Sequence, residues 1–137
     1  MDKIYLDYAA TTPVDARVLA AMTPYFGDFF GNPSSVHRYG QQAEAALDSS
    51  RETVAAALNC RPDEVVFTSC GSESDNLALR GAALGLRLRS AGQKNGAKWI
   101  ITSKAEHPAV SKTARQLAEV FGFEVEWLGL DEFGMVT

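Results

Sequence analysis

The sequence predicts an α/β fold in which helices flank a mostly parallel sheet. Strand-like runs rich in β-branched and aromatic residues occupy 65–68, 99–102 and 123–128. Helical patterns of crossover length separate these runs, and this alternation is typical of strands that lie parallel in one sheet. The last run alternates apolar and charged residues, which suits an edge strand with one solvated face.

The first helical pattern begins near Pro13. Proline suits the first position of a helix, and Thr12 before it can act as the N-cap. Apolar residues then recur at helical spacing at Val14, Val18, Met22 and Tyr25. Glycine, asparagine, proline and serine at 31–35 interrupt the pattern, so this segment is predicted to be a loop.

A long helix is predicted after this loop. Small and apolar residues recur on one helical face from Val36 to Leu58. Ser34 or Ser35 can cap its start, because serine is a preferred N-cap residue. Asn59 can end it, and a proline follows shortly afterwards.

The second half of the chain predicts two further helices between strands. The run at 65–68 leads through a tight turn into a helix from about Ser72 to Arg89. The segment from Ser90 to Lys98 is rich in glycine, lysine and asparagine and is predicted to be an exposed connection. Pro108 can open the last helix, and Gly122 can close it.

Charge and cysteine content exclude several classes of function. The 137-residue chain has 13 basic and 17 acidic side chains and a net charge of −4, which argues against nucleic acid as its main partner. No apolar run approaches the ~20 residues that span a bilayer, and the amino terminus lacks a signal-peptide or transit-peptide pattern. A cytoplasmic location without membrane association is therefore expected. Cys60 and Cys70 fit no metal-ligand spacing, so they are expected to be buried, reduced thiols, and no metal site is expected.

The turn at 69–72 predicts an anion site. A strand, a tight turn and a helix start leave first-turn N–H groups without intrahelical partners, and the helix dipole adds positive potential there. A phosphate fits such a position, so Gly71 and Ser72 are candidate phosphate ligands. The alternative is an ordinary helix start in which Ser69 or Ser72 is the N-cap. Local sequence leaves both readings open.

His107 and Asn32 are further candidates for the site. His107 follows a strand, and ligands of parallel α/β sheets bind at the carboxyl ends of strands. It is a candidate catalytic residue, because an imidazole can stack on a flat cofactor or transfer a proton. A helix-start residue partly in solvent is the alternative. Asn32 lies in a polar loop that either serves a site or simply feeds the long helix.

Several motifs occur together and in a characteristic order. They are YLDYAATTP at 5–13, GNPSSVHRYG at 31–40, FTSCGSESDNLAL at 67–79 and EHPAV at 106–110. In this order and spacing they closely resemble the amino-terminal part of the NifS/IscS-like cysteine desulfurases. These are class V aminotransferase-type enzymes that depend on pyridoxal 5′-phosphate (PLP). The resemblance covers essentially the whole chain.

The resemblance implies part of a fold-type I PLP-dependent transferase. Residues 1–13 would belong to a small domain or arm, and residues 14–137 to the first part of the large PLP-binding domain. Gly71 and Ser72 match the pair that holds the cofactor phosphate, and His107 matches the histidine that stacks on the pyridine ring. Asn32 would lie near the substrate.

The resemblance also implies a reaction and partners. The family converts L-cysteine to L-alanine and leaves the sulfur as an enzyme persulfide. A sulfur-acceptor protein then takes it for iron–sulfur cluster or thio-cofactor synthesis. The family is usually a homodimer. A selenocysteine lyase, another class V enzyme, is one alternative function, and a non-catalytic chain that binds a partner is another.

The chain departs from the family pattern in sequence and in length. Cys70-Gly71-Ser72-Glu73 stands where the family often has Gly-Ala-Thr-Glu. Serine keeps the hydroxyl and glycine keeps access to the backbone. The Schiff-base lysine, the aspartate that pairs with the pyridine nitrogen and the catalytic-cysteine loop all map past Thr137. The chain is therefore expected to be the amino-terminal portion of such an enzyme, without desulfurase activity on its own.

Overall fold

The computed structural model describes residues 4–90 and 98–137. The chain forms two compact units, Met1–Val66 and Phe67–Thr137. The first unit contains helices α1 (Ala16–Met22) and α2 (Arg38–Leu58), with short 3₁₀ turns at Thr23–Phe26 and Pro62–Glu64. The second contains α3 (Gly71–Arg89), strand β1 (Trp99–Ser103), α4 (Pro108–Phe121) and strand β2 (Glu124–Leu128). The expected connection from Ser90 to Lys98 lies largely outside the described residues.

Helix α1 begins later than the proline pattern predicts. Its N-cap is Asp15, whose carboxylate accepts the N–H of Arg17 at 2.8 Å, so the prediction of Thr12 as the cap is wrong. Aspartate is among the best N-cap residues, and here its carboxylate also pairs with the Arg17 guanidinium at 2.9 Å. The stronger cap two residues beyond Pro13 therefore sets the helix start.

Helix α2 also starts at an unexpected residue and ends at the predicted one. Its N-cap is His37, not Ser34 or Ser35. The serine N–H groups are already bonded to Asn32, so the chain turns there and the helix begins only afterwards. Asn59 ends the helix in the left-handed region at φ 53°, as predicted.

The predicted strand at 65–68 is not a strand in the described chain. The backbone at Val65 is extended, with φ −97° and ψ 123°. However, its carbonyl accepts a hydrogen bond from the Arg51 guanidinium at 2.6 Å, and its N–H donates to the Pro62 carbonyl. A β-branched run favours extended backbone, but only a neighbouring strand makes it part of a sheet.

The predicted strands and helix of the second unit are confirmed. β1 and β2 pair in parallel, with Trp99 opposite Glu124 and Ser103 opposite Leu128. Helix α4 connects them, which gives the expected βαβ order. Among the described residues of this unit, the buried apolar ones are Ala114 and Leu117 of α4 and Phe123 before β2, so the core lies around α4, which packs against both α3 and the sheet.

The described helices include none that is both long and apolar enough to cross a membrane.

Candidate functional site

A cleft of about 490 Å³ lies between one face of α3 and one face of α4. Ser72, Asn76 and Arg80 of α3 line it at steps of four residues. The other side consists of the α4 cap and one face of the first nine residues of α4: His107, Pro108, Ala109, Lys112, Thr113 and Gln116. We call it the α3–α4 cleft. Ser72 and His107, which sequence analysis selected separately, therefore line the same cleft.

The first turn of α3 presents backbone donors that the Cys70 cap does not occupy. Cys70 is the N-cap, and its side chain makes no capping hydrogen bond within the described residues. The alternative in which Ser69 or Ser72 is the N-cap therefore does not hold. The first helical bond runs from Ser74 N–H to the Cys70 carbonyl, so the N–H groups of Gly71, Ser72 and Glu73 precede the helical ladder.

Glu73 fixes the turn from the helix side. Its carboxylate accepts the Ser69 N–H at 2.7 Å and the Ser69 hydroxyl at 2.6 Å. The hydroxyl bond, followed by the backbone bond, holds the pKa of Glu73 below its ordinary value of 4.5. The glutamate therefore ties the helix to Ser69, which precedes the helix, and neither of these two bonds uses the first-turn N–H groups of Gly71 and Ser72.

Gly71 faces open space. A Cβ built at this residue meets nothing within 4 Å, and Gly71 does not have the positive φ that favours glycine. Neither packing within the described chain nor backbone conformation therefore requires glycine there. The missing side chain leaves room for a ligand to reach the first-turn N–H groups.

His107 caps α4 with its own ring. Its Nδ1 accepts the Ala109 N–H at 3.1 Å, so the side chain is the N-cap of this helix. A nitrogen that accepts a hydrogen bond carries no proton, and the ring proton is therefore on Nε2. The imidazole is exposed and fixed at the cleft. The sequence left a helix-start residue and a site residue as alternatives for His107, and the structure shows that it both caps α4 and lines the cleft.

Polar side chains that sequence analysis did not select complete the cleft. Asn76 Nδ2 donates to the Ser72 carbonyl at 2.8 Å, and the Thr113 hydroxyl lies 2.8 Å from Asn76 Oδ1. Arg80 Nε donates to the same Oδ1 at 3.2 Å. A signal existed, because Asn76 and Arg80 follow Ser72 at steps of four and must share its helical face.

The cleft is electropositive. Among the described residues that line it, Arg80 and Lys112 are basic and none is acidic. Positive side chains beside the first turn of a helix favour an anion, because the amino-terminal end of the helix dipole is also positive. The arrangement therefore suits an anionic ligand.

The remaining sequence candidates lie elsewhere or differ from expectation. Asn32 belongs to the first unit, where its Oδ1 accepts the Ser34 N–H at 2.9 Å and shapes a turn. Cys60 is half-buried, but Cys70 is exposed, so the expectation of a buried thiol is wrong at Cys70. Its place as a helix N-cap, outside the core, explains the exposure. The described residues contain no cluster of three or more side chains suited to a metal ion.

Comparison with known proteins gives a consistent family. The sequence profile of the Aminotransferase class-V family matches residues 4–137. Cysteine desulfurase IscS from Neisseria meningitidis serogroup C is 49% identical over 134 residues, which are 97% of this chain and 31% of that protein.

Solved structures agree in fold. One described as a NifS-like protein has a TM-score of 0.83 at 37% identity, covering 99% of this chain and 35% of the other. Another, described as SspA in complex with cysteine, has a TM-score of 0.74 at 41% identity, covering 90% and 33%. The chain thus spans about a third of the length of the relatives it matches. It shares the α/β fold of the NifS-like proteins, and it belongs to the aminotransferase class V family.

Proposed function

We propose that this chain forms the phosphate-binding end of a PLP site in a cysteine desulfurase. The observation that carries the proposal is the α3–α4 cleft, which has Ser72 beside the open first turn of α3 and His107 opposite. Family membership supports PLP as the cofactor, and the name of the Neisseria relative supports the reaction.

The residues present fit the cofactor. The N–H groups of Gly71 and Ser72, together with the Ser72 hydroxyl, are donors suited to phosphate oxygens. No side chain at Gly71 blocks the approach, and Arg80 and Lys112 supply positive charge nearby. The cleft volume of about 490 Å³ is within the usual range for a small-molecule site.

Each residue then has a defined task. Gly71 and Ser72 bind and orient the phosphate. The Ala109 N–H holds the His107 ring through Nδ1, so the imidazole is oriented at the cleft and can pack against a pyridine ring. When bound, PLP supplies the electron sink for reactions at the carbons of an amino acid.

L-Cysteine is the proposed substrate and L-alanine the proposed product. The sulfur would pass to an enzyme persulfide and then to an acceptor protein for iron–sulfur cluster or thio-cofactor synthesis. The NifS-like relatives and the structure of SspA in complex with cysteine support this choice. We further propose a homodimer in the cytoplasm, with residues 1–13 in a small domain or arm, residues 14–137 in the large domain, and Asn32 near the substrate.

Alanine release from L-cysteine tests the proposal. The complete polypeptide with PLP should release alanine, and Ser72→Ala should raise the PLP concentration that gives half-maximal rate. Ser50→Ala is the matched control, because the exposed Ser50 hydroxyl bonds along its own helix, to the Ala46 carbonyl, and does not line the α3–α4 cleft. Residues 1–137 alone should release no alanine above a protein-free control. Turnover of L-selenocysteine without turnover of L-cysteine would instead indicate a selenocysteine lyase.

A further inference from the structure

A series of close polar contacts runs from the first turn of α3 to the His107 ring. Asn76 Nδ2 donates to the Ser72 carbonyl at 2.8 Å, and Asn76 Oδ1 lies 2.8 Å from the Thr113 hydroxyl. The same hydroxyl lies 2.7 Å from the Ala109 carbonyl. The Ala109 N–H in turn donates to His107 Nδ1 at 3.1 Å. The series starts in the first turn of α3 and ends at the cap of α4.

The orientation of the Asn76 amide is determined by its partners. The Ser72 carbonyl can only accept, so the atom facing it must be the amide nitrogen. Arg80 Nε can only donate, so the atom facing it must be the amide oxygen. Asn76 therefore cannot flip without losing both bonds.

Thr113 is the buried link of the series, with a relative exposure of 3%. Its bond to the Ala109 carbonyl is the common bond of a helical threonine to the residue four positions earlier. Its contact with Asn76 is different in kind, because it joins two helices across 37 residues of sequence. The hydroxyl has a single proton, so it donates to one of these two oxygens at a time, and removing it takes away the contact of Asn76 with Thr113 of α4.

We propose that Asn76 and Thr113 are positioning residues that set the spacing between the α3 turn and the His107 ring. This inference rests on the proposed PLP site. PLP joins its phosphate and its ring covalently, so a ligand that uses both ends is sensitive to their spacing. Inorganic phosphate uses only the α3 turn, and pyridoxal, which lacks the phosphate, does not use that turn.

Binding of three probes to the complete polypeptide separates positioning from general damage. Thr113→Val should weaken PLP binding about tenfold, which is the order of one lost hydrogen bond, and should change binding of phosphate and of pyridoxal less than about twofold. Thr113→Ser keeps the hydroxyl and should restore PLP binding. Thr53→Val is the control, because Thr53 makes the same bond along its own helix, to the Ser49 carbonyl, on an exposed face. It should leave all three affinities unchanged.

Several outcomes would overturn the inference. Unchanged PLP binding in Thr113→Val, an equal loss for all three probes, or failure of Thr113→Ser to restore binding would each do so. If Thr113→Val does not fold, Asn76→Ala carries the same test with the same selective loss expected. A wild-type protein that bound pyridoxal as tightly as PLP would refute the proposed function itself, and a selective failure of the variants would refute only the positioning role.

Discussion

Replacing Gly71 with leucine should weaken PLP binding without harming the fold. A Cβ at this residue meets nothing within 4 Å, and the residue does not have a positive φ, so no clash at Cβ and no backbone strain is expected. Leucine is favoured over glycine by up to about 1 kcal/mol in a helix, and less at a first-turn position. The free energy of unfolding should therefore stay unchanged or rise slightly.

The expected loss of affinity follows from the size of the added side chain. In the proposed site, phosphate reaches the first-turn N–H groups through the open space at Gly71, and a leucine side chain would fill that space. Alanine, which the family often has at this place, is small enough to leave the approach open, so Gly71→Ala should bind PLP as the wild type does. A hydrogen bond to a charged group contributes about 1.5–3 kcal/mol, so loss of one such bond weakens binding about tenfold to a hundredfold. Equilibrium dialysis of PLP and urea unfolding on the same preparation measure the two effects.

Gly81→Leu is the matched control for this experiment. Gly81 lies in the middle of the same helix, and a Cβ there also meets nothing within 4 Å. This variant should be more stable by roughly 1 kcal/mol and should bind PLP as the wild type does. A folded Gly71→Leu protein with wild-type PLP affinity would contradict this role of Gly71.

Three further predictions concern the caps that shape the two units. His107→Asn keeps a good N-cap but loses the ring, so it should be as stable as the wild type and bind PLP more weakly. His107→Ala loses the cap as well, so its free energy of unfolding should fall by about 0.5–2 kcal/mol in thermal or urea unfolding. Equal stability of the two variants would contradict the capping role. Asn59→Ala should cost about 1 kcal/mol in urea unfolding, because alanine pays more than asparagine for the left-handed conformation at φ 53°; an unchanged midpoint would count against it. The Ser69 hydrogen bonds lower the pKa of Glu73, so these bonds stabilise the fold above pH 4.5 and are lost as the pH falls through the lowered pKa. An NMR titration of the Glu73 carboxyl group measures this pKa. A Glu73 pKa at or above 4.5 would show that Ser69 does not hold the carboxylate in this way.

Local signals were sufficient for much of the fold. Asn59 and Gly122 end their helices in the left-handed region, with φ 53° and 67°, because few other residues adopt it at low cost. The β-branched and aromatic run at 99–102 and the alternation at 123–128 likewise predicted β1 and β2, whose pairing is parallel as expected. These features depend on residues close together in sequence, where propensity and periodicity are informative.

Features that depend on distant partners could not be predicted in the same way. The run at 65–68 has β-branched residues, but its backbone carbonyl at Val65 is bound by the Arg51 side chain instead of a neighbouring strand. The contact between Asn76 and Thr113 spans 37 residues, and nothing local indicates it. Competition among nearby caps was also hard to judge, since Asp15 displaced Thr12.

A crystal structure of the complete polypeptide with PLP would show whether the first turn of α3 holds the cofactor phosphate. We expect phosphate oxygens within hydrogen-bond distance of the Gly71 and Ser72 N–H groups and of the Ser72 hydroxyl, with the His107 ring packed against the pyridine. We also expect Nδ1 of His107 to accept the Ala109 N–H still. A phosphate bound away from the first turn of α3, or a pyridine ring that does not contact His107, would refute the proposed site.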